Sequence, residues 1–350
     1  MIRFATKSLL ILLSACCLTF SATAQVFENA GQYMDNINKV NEDMTIKYLV
    51  YLSAVSHGKS ARKVEKRRVE VVNAINDSRY SIMGMPPWKG DKSYRDSAAS
   101  YLKLLYIVFN EDYGKIVNME EIAEQSYDAM EAYLLAQEKA QEKLADAHVR
   151  LKEAQKQFAA KNNINLIQSE SESDRKTKIV NDVMDHSNEV YLIFFKCYKQ
   201  EGYLVDAINK KNLVSIEQSL NSLRKFAEEG TDKLKKLTGY EGDNSLIAAG
   251  LKAMEYYKSS SGRGPVITDY FLKEEEFTKL KKQFDTKPAS KRTQQDIDLY
   301  NNSVNDMNAA LNKFNAALND MNKESNATLN DWNKAYNRYM DDHMPKQQRN

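Results

Sequence analysis

The chain has 350 residues, 50 of them basic and 48 acidic, with four histidines and three cysteines. Setting aside Arg3 and Lys7 in the N-terminal segment leaves 48 charges of each sign, so the remainder is formally neutral and lacks the clustered basic surplus that nucleic-acid binding requires. Five prolines and twelve glycines are few for this length, which favours long helices in one large or two ordinary domains.

In chain order, Arg3 and Lys7 are followed by the apolar run Ser8 to Phe20 and by Ala22-Thr23-Ala24-Gln25. That order of charged, apolar and small residues predicts a signal peptide over 1–24, with Gln25 as the mature N-terminus. Leu13-Ser14-Ala15-Cys16 also fits a lipobox, whose cysteine would be acylated to anchor the protein. That cut would leave only Ser8 to Leu13 as an apolar core, so cleavage after Ala24 is favoured. Cys197 is then the one remaining cysteine, and no internal disulfide is expected. Its apolar setting, Tyr191 to Tyr198, reads as core rather than as a reactive thiol. No later apolar run approaches the roughly 18 residues that span a bilayer.

Hydrophobic periodicity predicts helices near 28–57, 60–80, 93–110, 118–161, 175–200, 204–229, 244–258, 268–285 and 291–342. No segment alternates with period two, so the expected fold is all-α: an elongated antiparallel helical bundle or bundles with long coiled-coil-like helices. Asn118 with Glu121, Ser93 with Asp96 and Thr293 with Asp296 fit helix starts, a side-chain oxygen followed three residues later by a carboxylate. Pro86-Pro87, Pro265, Pro288 and Pro345 fall at the expected breaks.

Trp88-Lys89-Gly90-Asp91-Lys92-Ser93 and Tyr240-Glu241-Gly242-Asp243-Asn244-Ser245 share an aromatic, a glycine and an aspartate ahead of a helix. Either the chain is two related helical units, or two capping turns are alike by chance. On the first reading residues 25–165 form one unit and 175–342 the second. A polar linker at 166–174, centred on Ser169-Glu170-Ser171-Glu172-Ser173-Asp174, divides them, and 343–350 is a tail. In the last helix Ile297, Tyr300, Val304, Met307, Leu311, Phe314, Leu318, Met321, Ser325, Thr328, Trp332, Ala335 and Tyr339 recur at spacings of three and four, a heptad seam flanked by asparagines. The helix at 118–161 is the expected partner for this seam, and a homodimer through 291–342 is the alternative.

Chemistry is sparse. His57, His148, His186 and His343 are scattered and none belongs to an HExxH or ExxH pattern, so no metal site is expected; Asp182 and His186, one turn apart, supply two ligands at most. No nucleophile elbow, P-loop or dinucleotide fingerprint occurs, and no cofactor or catalytic residue is expected. Glu120-Glu121 and Glu274-Glu275-Glu276 read as charges near helix N-termini.

Three surfaces are candidates for interaction, the last of them the tyrosine excess. Pro86, Pro87 and Trp88 form a stiffened loop ending in a tryptophan that caps the core or meets a partner. Lys59, Arg62, Lys63, Lys66 and Arg67 line one side of a helix that could attract anionic lipid or polysaccharide, or simply be solvated. The many tyrosines, Tyr94, Tyr101, Tyr106, Tyr127, Tyr133, Tyr256, Tyr257 and Tyr270 among them, fit between helices with hydroxyls reaching water.

With its Ala-Thr-Ala-Gln signal end, its long Ala- and Asn-rich helices and no active-site motif, the chain resembles the all-helical surface and periplasmic proteins of Gram-negative bacteria whose activity is generally unassigned. The resemblance implies a compartment, the periplasm or outer surface, and a fold class, but no functional residues. The expected function is non-catalytic binding of another envelope protein or surface component. A toxin-like protein inserting a hairpin from Tyr101 to Phe109 and Leu246 to Met254, and an enzyme with a dispersed site, are the alternatives.

Overall fold

The computed structural model describes residues 27–56, 60–166 and 171–345. Residues 1–26, over which the signal peptide is predicted and which include Cys16, lie outside these, as do His57, Lys59, residues 167–170 and the last five residues. The helices are α1 (Ala30–Ser56), α2 (Ala61–Gly84), α3 (Ser93–Ile107), α4 (Tyr113–Ala123), α5 (Tyr127–Lys161), α6 (Glu172–Asn209), α7 (Leu213–Leu234), α8 (Ser245–Ser261), α9 (Gly264–Thr286) and α10 (Gln294–His343). A π-helical turn, Val108–Asp112, joins α3 to α4, and a 3₁₀ turn, Ala289–Lys291, lies between α9 and α10. Among the described residues there is no strand, and the chain is an all-α bundle as expected.

Each helix buries a stripe. In α1 the stripe is Tyr33, Ile37, Met44 and Tyr51; in α7 it is Ile216, Leu220, Leu223, Ala227 and Leu234. Spacings near multiples of three and four place each set on one face. A main contiguous core results, running from α1 to the end of α10, with a small separate cluster of Ala123, Met130 and Phe195. Gly230 shows how closely its helices approach, since a Cβ there would sit 2.6 Å from the Met254 sulfur and 2.9 Å from Ile193.

The packing order occurs twice. In the first half α1 packs on α2, α2 on α3, and α3 and α4 on α5; in the second α6 packs on α7, α7 on α8, and α8 and α9 on α10. Contacts of α1 and α5 with α6 join the halves.

Several boundaries differ from the sequence reading. Asn118 lies inside α4, and the break comes at Glu124–Ser126, where the Ser126 hydroxyl accepts from the Ala129 amide at 3.1 Å. The Asn118-Glu121 pattern resembles a cap, but no chain reversal accompanies it. Helix α6 passes through the break expected at 200–204. Gly202 costs it about 1 kcal/mol of helix propensity, which the burial of Phe194, Phe195, Leu204 and Ala207 along the same helix outweighs. The polar linker ends early: Ser171 caps α6 by accepting from the Asp174 amide at 3.0 Å, so Glu172, Ser173 and Asp174 are helical. Ser93 is likewise the first helical residue of α3 rather than its cap.

The long C-terminal helix packs chiefly on α9, α8 and α6 instead of the helix at 118–161. A short connection makes α9 and α10 an antiparallel pair before any distant helix can compete. The seam is thereby filled from within the chain over its C-terminal two-thirds, where Phe314, Met321, Trp332 and Tyr339 are buried. The Thr293 cap is as read, with Thr293 and Asp296 forming a reciprocal capping box.

Candidate interaction surfaces

Trp88 is half-buried. Its indole N–H donates to Asn162 Oδ1 at 3.0 Å, its ring lies 6.1 Å from that of Tyr33, and the Lys89 ammonium sits 5.3 Å above its face. It covers the end of the core, with Pro86 half-buried and Pro87 exposed beside it. The surrounding groove, lined by Trp88 to Lys92 with Lys161 and Asn162, is wide open to solvent.

The tryptophan begins a turn that the structure repeats. Lys89 and Gly90 have φ of 46° and 87°, and Glu241 and Gly242 have 48° and 88°; Trp88 bridges Asp91 just as Tyr240 bridges Asp243. Left-handed values at two successive residues favour glycine at the second. Asp91 Oδ1 accepts from the Ser93 amide at 2.8 Å, and Asp243 Oδ1 from the Ser245 amide at 2.7 Å. The second oxygen of each reaches the last residue of the long helix closing its half. Lys161 Nζ lies 2.8 Å from Asp91, and His343 Nε2 lies 2.8 Å from Asp243. The hydrogen bond from Lys161, with those from Ser93, pulls the Asp91 carboxyl down to about 2. For Asp243 burial works the other way, but donation from His343 and Ser245 prevails and its pKa is lowered.

Among the described residues no three of His, Cys, Asp and Glu are placed to hold a metal ion. Burial lowers the His186 pKa, and the charges that act on it belong to Glu189, Asp243 and His343. His148 stands 3.6 Å from Asp174, which also takes Lys152 at 3.0 Å, a tie between α5 and the start of α6. Cys197 is fully buried against Met254, and burial pushes its thiol up to about 12.

Spacing could not reveal the buried carboxyl of Glu201, which collects Tyr256 from α8 and Ser325 from α10. The tyrosine hydroxyl also lies 3.2 Å from the Met321 carbonyl. Burial raises the Glu201 pKa against the opposing effect of these donors. Tyrosine hydroxyls are also more internal than expected: Tyr94 donates to Asn38 at 2.9 Å and Tyr256 to Glu201, rather than to water.

On α2, Arg62, Lys63 and Lys66 are exposed, while Arg67 is half-buried and paired with Glu70 at 2.6 Å. Arg68 turns inward, donating to the Phe109 carbonyl at 2.7 Å and to Glu65. Acidic Glu65 and Glu70 therefore interrupt the basic face. Glu274, Glu275 and Glu276 lie in mid-helix, because α9 starts at Gly264, and pair with Lys211, Lys279 and Lys273.

The largest departure from a compact bundle is the hairpin of α9 and α10. From Leu272 to Ala309 no residue is buried. Tyr270, Phe271 and Phe314 close its base, with Tyr270 stacked on Phe314 at 4.5 Å, and Lys211 at the start of α7 supports it through Glu274 at 2.7 Å. Beyond that base the two helices meet each other through Phe277, Phe284 and Tyr300, the last two stacked at 4.4 Å. Trp88 and Tyr240 are 152 positions apart, whereas the helix ends Lys161 and His343 are 182 apart, so the second half carries 30 additional residues. Divided between two helices, that is an arm about 22 Å longer than its counterpart of α4 and α5.

Comparison of the chain with known families, with curated proteins and with solved structures found no match.

Proposed function

We propose that this is an exported, non-catalytic protein of the cell envelope that binds another envelope component through its helical surfaces. The observation that carries the reading is the arm formed by Leu272 to Ala309, which adds no buried residue to the core. Thirty-eight residues that add no buried side chain to the core are accounted for if the arm acts outside the bundle. The signal-like N-terminal sequence supports the compartment, and the scattered histidines and absent metal-ligand groups among the described residues support a binding role.

Tyr101 to Phe109 and Leu246 to Met254, the segments suggesting a membrane-inserting hairpin, contribute Leu102, Leu105, Val108, Leu246, Ile247 and Ala253 to the core. Among the described residues no helix is long and apolar enough to cross a membrane. Nothing specific favours the toxin-like reading.

The test is affinity capture from envelope extracts with the full chain and with a chain in which residues 276–306 are replaced by a short Gly/Asn turn. A defined partner retained by the first and lost by the second is expected. Equal capture by both, or turnover of a small substrate by the purified protein, would overturn the reading.

A further inference from the structure

From Lys279 to Thr293 the arm's tip carries Lys279, Lys281, Lys282, Lys287, Lys291 and Arg292 against the single acid Asp285. Counting Glu275, Asp296 and Asp298 just behind the tip, six basic and four acidic residues leave a surplus of two positive charges at the end of an arm whose seven basic and seven acidic residues otherwise balance. Lys279, Lys281 and Lys287 are paired with Glu275, Asp285 and Asp296. Lys282 and Lys291 are exposed and make no ion pair among the described residues.

The tip is a built structure. Arg292 lies 4.2 Å over the Phe284 ring, and its Nε donates to the Lys287 carbonyl at 3.0 Å, folding the turn back on itself. The Thr293 capping box fixes the start of α10. Thr286, Pro288, Ala289 and Ser290 are exposed between these cations, so the outermost surface offers neither an apolar wedge nor a cavity. A narrow convex point of positive charge complements a broad negative surface better than it does a pocket or groove. Within a Debye length of about 8 to 10 Å, unpaired lysines on such a point act together.

We propose that the arm's tip docks on a bilayer surface rich in anionic phospholipid, with Lys282 and Lys291 facing the headgroup phosphates. The choice of a membrane rests on the envelope reading above; the attraction to negative charge does not. Binding is electrostatic and peripheral, since Pro288 and Ala289 are the only apolar side chains from Thr286 to Lys291 and neither is large enough to insert.

The experiment is co-sedimentation of the full chain with vesicles of phosphatidylcholine alone and of an equal mixture with phosphatidylglycerol. Three forms are compared: the unaltered chain, Lys282→Glu with Lys291→Glu at the tip, and Lys63→Glu with Lys66→Glu on the exposed side of α2. All four lysines are exposed, so unchanged circular dichroism is expected throughout. The unaltered chain should bind the mixed vesicles, ignore phosphatidylcholine and be released by high salt. The tip variant should partition roughly 100-fold or more weaker, a four-unit change of charge close to the surface, while the α2 variant stays near the unaltered chain. Absent binding to mixed vesicles, or equal losses for the two variants, would overturn the proposal. Should vesicles be ignored while the arm-shortened chain still loses its captured partner, the tip inference falls and the envelope-binding function stands.

Discussion

Asp91 and Asp243 each use one carboxylate twice, one oxygen on a helix-start amide and the other on the terminal residue of a long helix. Replacing either by Asn preserves size and the acceptor for the helix-start amide but removes the charge facing Lys161 or His343, and each change should cost about 0.2 to 1 kcal/mol, the worth of a solvent-exposed ion pair. Thermal melts of the single variants check this. The pH dependence has a definite sign: Asp91 is held at about 2 against an ordinary 3.8, so its stabilisation is complete above the ordinary value and is lost as pH falls toward the folded one. Asp91→Asn should therefore flatten the acid limb of the stability curve between about pH 4 and pH 2. Glu201 has the opposite sign, because burial raises its pKa and folding favours its protonated form. Relative to Glu201→Gln, the unaltered protein should lose stability as pH rises above the ordinary glutamate value of 4.5; parallel melting curves would refute the burial argument.

At the scale of elements, the π-helical turn between α3 and α4 lets the helix bend where Phe109 must enter the core beside Tyr51 and Tyr113. Such a turn disturbs the regular backbone ladder, and Arg68 reaches across from α2 to the Phe109 carbonyl. Arg68→Met keeps the aliphatic packing and removes the donor. It should lower stability by about 1.5 to 3 kcal/mol, the range for a hydrogen bond with a charged partner, read from denaturant midpoints. A change confined to surface-like values, under about 0.5 kcal/mol, would show that the turn needs no such support. The corresponding joint in the second half, between α8 and α9, is built differently, with Gly262 and Arg263 interrupting the helix and Pro265 restarting it.

For the whole molecule, the core and the arm are energetically separate. Shortening the hairpin by replacing residues 276–306 removes no buried side chain. The main unfolding transition should stay within a few degrees of its original position, the shift that a change of about 1 kcal/mol or less produces in a chain of this size. Differential scanning calorimetry gives the answer directly; a collapse of the transition would mean that the arm helps hold the two halves together.

Much of this architecture was legible in the chain. Periodicity gave the all-α class, Thr293 with Asp296 gave the start of α10, the seam from Phe314 to Tyr339 named a buried face, and the shared Gly-Asp pieces marked two turns that fold alike. All of these are local, set by the spacing of apolar side chains on one helix or by the few residues of one turn. The sequence could not say which long helix would meet the seam, that Gly202 would be carried through α6, or that Tyr256 and Ser325 would converge on Glu201. Nor could it show that the amphipathic stretch from Leu272 to Ala309 would stand clear of the core, because an apolar stripe reads the same whether one neighbour covers it or several. Those outcomes depend on burial summed over distant segments, a quantity that exists only once the chain has folded.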